Sequence, residues 1–488
     1  MKRLSLTMAL IGAWALFAPG AARGQESMTL PDTPAGKQVK RYLEVLASGD
    51  KNQLKKFIEE NFAASFMRDI SVDQHLEVNA GFAEQAGGVT PRKVVSSSPT
   101  QITLLGAARK GGTPYRVSVA VEATPPHKLT NIGFRRPEPS ESVEAPPTRE
   151  GDLTQAELAA WTQEYVERLV KADAFSGAVL IAYRDQTLFA RAAGLASRAW
   201  NQPNRTDTRF NLGSMNKMFT SIAIAQLVEK GKVALDDPIV RHLPDYPNAD
   251  AAKKVTVRHL LSHTSGLADY FNDKFMKASR DRFRKIEDYF PLFTGEKLQF
   301  EPGTRFRYSN AGFMVLGAIV QRASGMDYFD YVRQHIYQPA GMTGSDCFEL
   351  DTDVPNLAVG YTRGPGNQVK NNLFMHVIKG GPAGGGYSTV EDLHRFAIAL
   401  CDGKLIRADT LKQWTTPGEK NARYAFGFQV SQVNQTKLIG HSGGFPGINS
   451  VLTVDLENGY VIAVMSNSDS GAAAVEEKLK QLLPRVKR

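Results

Sequence analysis

The chain of 488 residues contains only two cysteines, Cys347 and Cys401, which excludes a disulfide-stapled scaffold and leaves room for one bridge at most. No apolar run reaches the roughly 20 residues that span a bilayer, so stable membrane insertion is not expected. Charge of one sign is also scarce. Lys and Arg total 59 against 50 Asp and Glu, three of the basic residues fall within the first 24, and no long basic run occurs. A nucleic-acid partner is therefore not expected. With 42% hydrophobic and 22% charged residues, 42 Gly, 25 Pro and no internal repeat, the composition is globular, neither collagen-like nor disordered. Its length allows two or three domains.

The N-terminus carries Lys2 and Arg3, an apolar stretch from Leu4 to Phe17, and a small-x-small site at Ala22-Arg23-Gly24. This pattern predicts a cleavable signal peptide over 1–24, a mature chain from Gln25, and a periplasmic or secreted protein. The absence of Cys at the cleavage site argues against a lipid anchor. Residues 25–136 read as an α+β domain. Val39, Tyr42, Leu43 and Leu46 share one helical face, Leu54, Phe57, Ile58 and Phe62 another, and strand-like runs follow at Lys93–Ser97, Gln101–Gly106, Tyr115–Val121 and Leu129–Phe134. The element order resembles the cone-shaped NTF2-like group. His75 and His127 read as surface residues, and nothing in the domain names the partner it contacts. Residues 137–152, rich in Pro, Glu and Ser, read as a linker.

From 153 to 488 the pattern is helix, two strands (Gly177–Tyr183 and Thr187–Ala193), a long helical stretch with Gly/Pro-rich connections, three strands (Lys437–Gly440, Ser450–Leu456, Tyr460–Ser466) and a last helix near Gly471. It predicts an antiparallel sheet built from both ends of the domain, flanked by helices, with a helical subdomain inserted between.

Three groups could carry chemistry. Ser214-Met215-Asn216-Lys217 opens an apolar helix, and the spacing of three sets the amine one turn above the hydroxyl, where it could draw the proton. The bland reading is that Ser214 only caps the helix; Ser48-Gly49-Asp50-Lys51 fits the same pattern and reads as a loop between helices. Tyr308-Ser309-Asn310 offers a hydroxyl for proton transfer and an amide for a substrate carbonyl, although Tyr-x-Asn recurs at Tyr246–Asn248 and Tyr270–Asn272. Gly440-His441-Ser442-Gly443-Gly444 offers a strand edge that a substrate can approach closely. This last group also fits the G-x-S-x-G nucleophile elbow, but His441 is the last His of the chain, so Ser442 lacks the downstream base that such a triad needs.

In this order and spacing the three groups, with Leu260–Leu267 (LLSHTSGL), Glu301–Gly317 (EPGTRFRYSNAGFMVLG) and Gly384–Leu393 (GGGYSTVEDL), resemble the serine β-lactamase and penicillin-binding-protein superfamily. The likeness is to its class C-like branch, which includes D,D-peptidases and esterases, and covers about 153 to 483. The resemblance implies Ser214 as acylated nucleophile, Lys217 as its proton partner and Tyr308 as general base or shuttle. It implies Asn310, His441 and Gly443 as substrate-binding residues, and the Ser214 and Gly444 N–H groups as the oxyanion hole. No cofactor or metal is implied. His441 stands where β-lactamases usually carry Lys, which implies a weaker hold on a substrate carboxylate.

His259 and His263 have an i, i+4 spacing that metal ligands share, but no Glu follows the first, and they read as residues that orient loops. Gly380–Gly386 lacks the Lys-Ser/Thr ending of a phosphate loop. The expectation is an exported serine hydrolase acting through an acyl-enzyme on D-amino-acid peptides or small esters, with β-lactams as slow substrates. The alternative is a non-catalytic scaffold that binds without turnover.

Overall fold

The computed structural model describes residues 28–68, 70–364 and 368–487. The expected signal peptide lies outside the described residues. The chain divides into two compact units between Pro137 and Glu138.

The first unit begins with α1 (Pro34–Ser48), α2 (Lys51–Asn61) and α3 (Val72–Ala86), followed by β1 (Val89–Ser97), β2 (Gln101–Ala108), β3 (Pro114–Val121) and β4 (Leu129–Arg135). The strands form an antiparallel meander in chain order. Alternation in β2 and β3 turns Ile102, Leu104, Val117 and Val119 toward Val39, Tyr42 and Leu43 of α1, and these side chains form the core. Pro91 lies on edge strand β1 next to the first of its two register shifts, where a missing N–H is tolerated. His75 is not a surface residue. It is 6% exposed, its Nε2 meets the Phe66 carbonyl oxygen at 3.2 Å, and its ring packs on Phe62 and Phe66. The helical face of α3 that carries it was too weakly apolar to reveal this.

In the second unit, α4 (Gln155–Lys171) precedes the hairpin β5 (Gly177–Tyr183) and β6 (Gln186–Ala193). The sheet has six strands. From one edge it runs Gln429–Val433, Thr436–Phe445, Ile448–Asp455, Tyr460–Ser466, β5, β6, every pair antiparallel. The first of these strands was not anticipated from sequence. Both faces of the sheet are covered. Val179, Ile181, Ile462 and Val464 pack on α4 and the C-terminal helix Gly471–Leu482, while Ala178, Leu180, Ala463 and Met465 face the helical subdomain. Burial on both sides explains why β5 reads as an unbroken apolar run. At the centre of the subdomain is α5 (Asn216–Glu229), buried without interruption from Asn216 to Leu227, so a helix apolar on all sides can only be a core helix.

Residues expected to form a linker are laid on this second unit. Trp161 Nε1 donates to the Pro146 carbonyl, Arg168 to that of Glu144, and Val143 and Ala145 pack on the core beside α4. The acidic, Pro-rich composition hid this because the attachment uses backbone carbonyls and only two small apolar side chains. Cys347 is buried and Cys401 exposed, and both are free thiols.

Candidate active site

Ser214 lies in a single 3-10 turn, Gly213–Met215, that feeds directly into α5. Gly213 has φ +50°, and a Cβ there would come within 2.8 Å of the Gly444 nitrogen, so only glycine permits this approach. Ser214 is not a cap, since α5 has no side-chain cap. Its Oγ instead lies 3.3 Å from Lys217 Nζ, as the one-turn spacing predicts.

Lys217 is completely buried. Its amine donates to Asn310 Oδ1 at 2.8 Å and to the Ala383 carbonyl at 2.5 Å. It also lies 4.9 Å from the centre of the Tyr308 ring. Loss of hydration penalises the ammonium and lowers its pKa from 10.5 to about 7, partly countered by the nearby Asp269 carboxylate. A neutral amine has two N–H donors and one lone pair. With Asn310 and Ala383 as acceptors, the lone pair is left for the Ser214 hydroxyl.

Tyr308 is held within hydrogen-bonding reach of Ser214, yet burial raises its pKa above the usual value of 10 and Asp269 adds to the rise. Proximity to Lys217 does not make this phenol more acidic. Asn310, expected to hold a substrate amide, has both ends of its own amide engaged: Oδ1 with Lys217, and Nδ2 with Asp269 Oδ2 at 3.1 Å. Asp269 also accepts the Asn310 backbone N–H at 2.8 Å. Asp269 was not singled out from sequence; its one signal is its place two residues beyond the LLSHTSGL run.

That run holds the Tyr308 loop. Arg307 N–H donates to the His263 carbonyl, Gly303 N–H to that of Thr264, and Ser309 N–H to His263 Nδ1 at 3.1 Å. His263 adopts φ +57°, rare for a residue with a side chain, and its ring lies 4.1 Å from that of Tyr308. Burial keeps it neutral, with Lys217 and His441 adding to the downward shift. His259 closes a capping box with Thr256. Both histidines therefore support loops, as their bland reading held.

The strand Thr436–Phe445 carries the third motif. Its pairing with Gln429–Val433 ends at Gly440, and beyond that point the freed edge runs along the Gly213 turn. A Cβ on Gly443 would lie 1.9 Å from the Leu212 carbonyl oxygen, which accounts for glycine there. Gly444 and Ser214 line the same cleft. Ser442 is exposed, bonded to Gln429, and is not among the residues that line the cleft. His441 is 2% exposed and is not among the residues that line the cleft. Its Nδ1–H donates to the Ser442 carbonyl, which leaves Nε2 to accept the Tyr424 hydroxyl at 3.1 Å. Burial and Lys217 push its pKa down to about 3.

The cleft holds about 270 Å³. Its walls are largely aromatic, including Tyr270, Phe271, Phe275, Tyr289 and Phe445, and among the described residues no Lys, Arg, Asp or Glu lines it. The turn Gly380–Gly386 supplies Ala383 and is fixed to the start of α5 by Gly386 N–H donating to Asn216 Oδ1 and Gly385 N–H to the Gly213 carbonyl.

Comparison with known proteins agrees with this geometry. The Beta-lactamase family profile matches residues 158–484. The chain is 28% identical over 336 residues to Penicillin-binding protein 4* of Bacillus subtilis, covering 65% of this chain and 74% of that protein. It is 34% identical over 232 residues to Esterase EstB of Burkholderia gladioli, covering 45% of this chain but only 58% of the esterase. Among solved structures, a penicillin-binding protein from Bacillus halodurans superimposes with a TM-score of 0.61 at 33% identity, over 65% of this chain and 98% of that one. A matched span that takes in the Ser214 turn, the Tyr308 loop and the His441 strand identifies the chain as a member of the beta-lactamase family of serine hydrolases.

Proposed function

We propose that this enzyme hydrolyses esters, and secondarily amides, of apolar carboxylic acids through an acyl-enzyme on Ser214, with neutral Lys217 as the base. One observation carries the reading: a wholly buried amine, its pKa lowered to about 7, stands 3.3 Å from the Ser214 hydroxyl at a cleft without a charged side chain. As Oγ attacks the carbonyl carbon, its proton passes to the Lys217 lone pair, and the oxygen becomes an anion facing the Ser214 and Gly444 N–H groups. The Tyr308 hydroxyl, protonated in the free enzyme, relays a proton from the Lys217 ammonium to the leaving oxygen or nitrogen. The carbonyl re-forms as the leaving group departs. Water then attacks the ester, gives up its proton along the same route, and releases the acid and Ser214.

A terminal carboxylate, as in a D-alanyl-D-alanine stem, would enter this cleft without a cation to meet it, because His441 is neutral and already bonded on both nitrogens. Leaving a carboxylate unpaired in an apolar site is costly. The names of the relatives, two penicillin-binding proteins and an esterase, keep the D-peptide reading second. Turnover of 4-nitrophenyl butyrate, D-phenylalanine amide and a D-alanyl-D-alanine peptide tests the order. We expect the ester to exceed the peptide in kcat/KM by about a hundredfold or more, the equivalent of some 3 kcal/mol. Faster turnover of the peptide would reverse the assignment, and failure of Ser214 to label with a fluorophosphonate would favour the scaffold reading. The basic and then apolar start of the chain supports export to the periplasm or beyond; N-terminal sequencing of the mature protein should begin at Gln25.

A further inference from the structure

Five large apolar side chains are exposed among the described residues of the second unit: Trp200, Phe271, Met276, Leu373 and Phe374. All but Trp200 belong to two short segments whose inner residues, Phe271, Phe275, His376 and Val377, wall the cleft. Exposed aromatic and aliphatic groups gathered around a site opening mark an interaction surface rather than chance.

Their exposure is enforced by the backbone. Leu373 and Phe374 occupy a turn closed by Met375 N–H donating to the Asn372 carbonyl, and the buried Asn372 side chain fastens the turn to the Pro446 carbonyl at 2.9 Å. Phe374 is 93% exposed and Met276, on the facing short helix Asp273–Lys277, 66%. Arg280 ties the two segments together. Its Nε donates to the Met375 carbonyl at 3.1 Å, one Nη to that of Ala278 at 2.8 Å, and its guanidinium lies 4.0 Å over the Phe275 ring. The apolar tips are thus held in fixed relation to each other beside the entrance.

The flank is basic. Lys277, Arg282, Lys285 and Lys370 are exposed in the segments that carry these tips, and Lys274 is paired with Glu296 at 3.3 Å; the exposed acidic residues of the same stretch are Asp273, Asp281 and Glu287. Apolar side chains standing out of a cationic rim suit the headgroup boundary of an anionic lipid surface, where apolar groups enter the acyl layer and cations meet phosphate. We propose that this rim is a docking surface for an anionic lipid bilayer, which it grips peripherally and on which it sets the cleft mouth against the lipid. No helix among the described residues is long and apolar enough to cross a membrane, so the contact is one of surface.

The test is co-sedimentation of the full chain with vesicles of phosphatidylcholine alone, and of phosphatidylcholine with phosphatidylglycerol in equal parts. Wild type should sediment with the mixed vesicles and be released by high salt. Met276→Ser with Phe374→Ser, neither of which lines the cleft, should weaken binding roughly tenfold or more while hydrolysis of a soluble ester stays unchanged. Lys277→Glu with Lys370→Glu should abolish the preference for phosphatidylglycerol. Ser214→Ala should bind as wild type does, so that loss of the chemistry and loss of docking are told apart. The proposal is overturned if wild type sediments with neither vesicle, if the serine pair binds undiminished, or if the rim instead holds two copies together, seen as a dimer in solution that the serine pair dissociates.

Discussion

Two segments of this chain share the pattern Ser-x-x-Lys, and only one can do chemistry. Ser48 is the last residue of α1; its hydroxyl donates to the Val45 carbonyl, Gly49 turns the chain at φ +68°, and Lys51 projects into solvent at the start of α2. Ser214 comes at the other end of a helix, where a tight turn carries the chain into α5 and draws Lys217 wholly inside. The residue types and spacing are the same, but only Lys217 is buried, and a buried amine with two carbonyl acceptors is a base. The pattern states which groups can meet. Burial decides what they do.

The largest contrast should come from the serines. Ser214→Ala should lower ester kcat/KM by about four orders of magnitude and abolish fluorophosphonate labelling, whereas Ser48→Ala should leave both intact; retained labelling in the first variant would remove Ser214 as nucleophile. Next come the lysines. Lys217→Met should reduce activity about a thousandfold and yet yield a protein that melts no lower than wild type, while Lys51→Met changes neither property. The direction follows from linkage. The folded-state pKa of Lys217 lies below the unfolded one, so the unfolded chain binds more protons between pH 7 and 10.5. The full penalty, on the order of 5 kcal/mol, applies below pH 7 and fades as pH rises through that window. The advantage of the Met variant in melting temperature should therefore grow toward acid; a constant gap would mean that Lys217 is not neutralised by burial.

A smaller effect concerns the pH profile of the wild-type enzyme. kcat/KM should rise with pH to a plateau above about 7, as Lys217 loses its proton. Asp269→Asn removes the carboxylate that favours the ammonium, so the acid limb should move to lower pH even as the maximum rate falls through the disturbed Asn310. A limb that stays in place would assign the titration to another group. The glycines give the smallest difference. Gly49→Ala meets nothing within 4 Å and should cost only about 1 kcal/mol for its positive φ, with activity unchanged. Gly213→Ala, crowded against Gly444, should in addition depress activity.

That the sheet of the second unit draws strands from both ends of the domain was legible in the sequence through local periodicity, and the meeting of Ser214, Lys217, Tyr308 and Asn310 through the resemblance of their motifs to a known family. What escaped was whatever depends on a third element. Asp269 matters through contacts with Asn310 and the field at Lys217, neither of which lies near it in the chain. His441 could be placed on its strand, but that its ring faces Tyr424 rather than the cleft follows from the sheet's register and from Tyr424, which no motif contains. His75 looked like a surface residue because its contacts, Phe62 and Phe66, come from the segment before α3.

The arrangement of the central sheet also has a consequence for how the enzyme is made. In the first unit each strand pairs with its neighbour in the chain, so that sheet can be completed as soon as its last residue is available. In the second, β5 is bordered on one side by Tyr460–Ser466, with Gly177 opposite Ser466. Until Tyr460–Ser466 has been made, β5 keeps an unpaired edge and an apolar face without cover. Such late closure slows folding and exposes sticky intermediates. A ribosome that stops short of the C-terminal strand would leave a chain holding both Ser214 and Lys217 but no floor on which to set them.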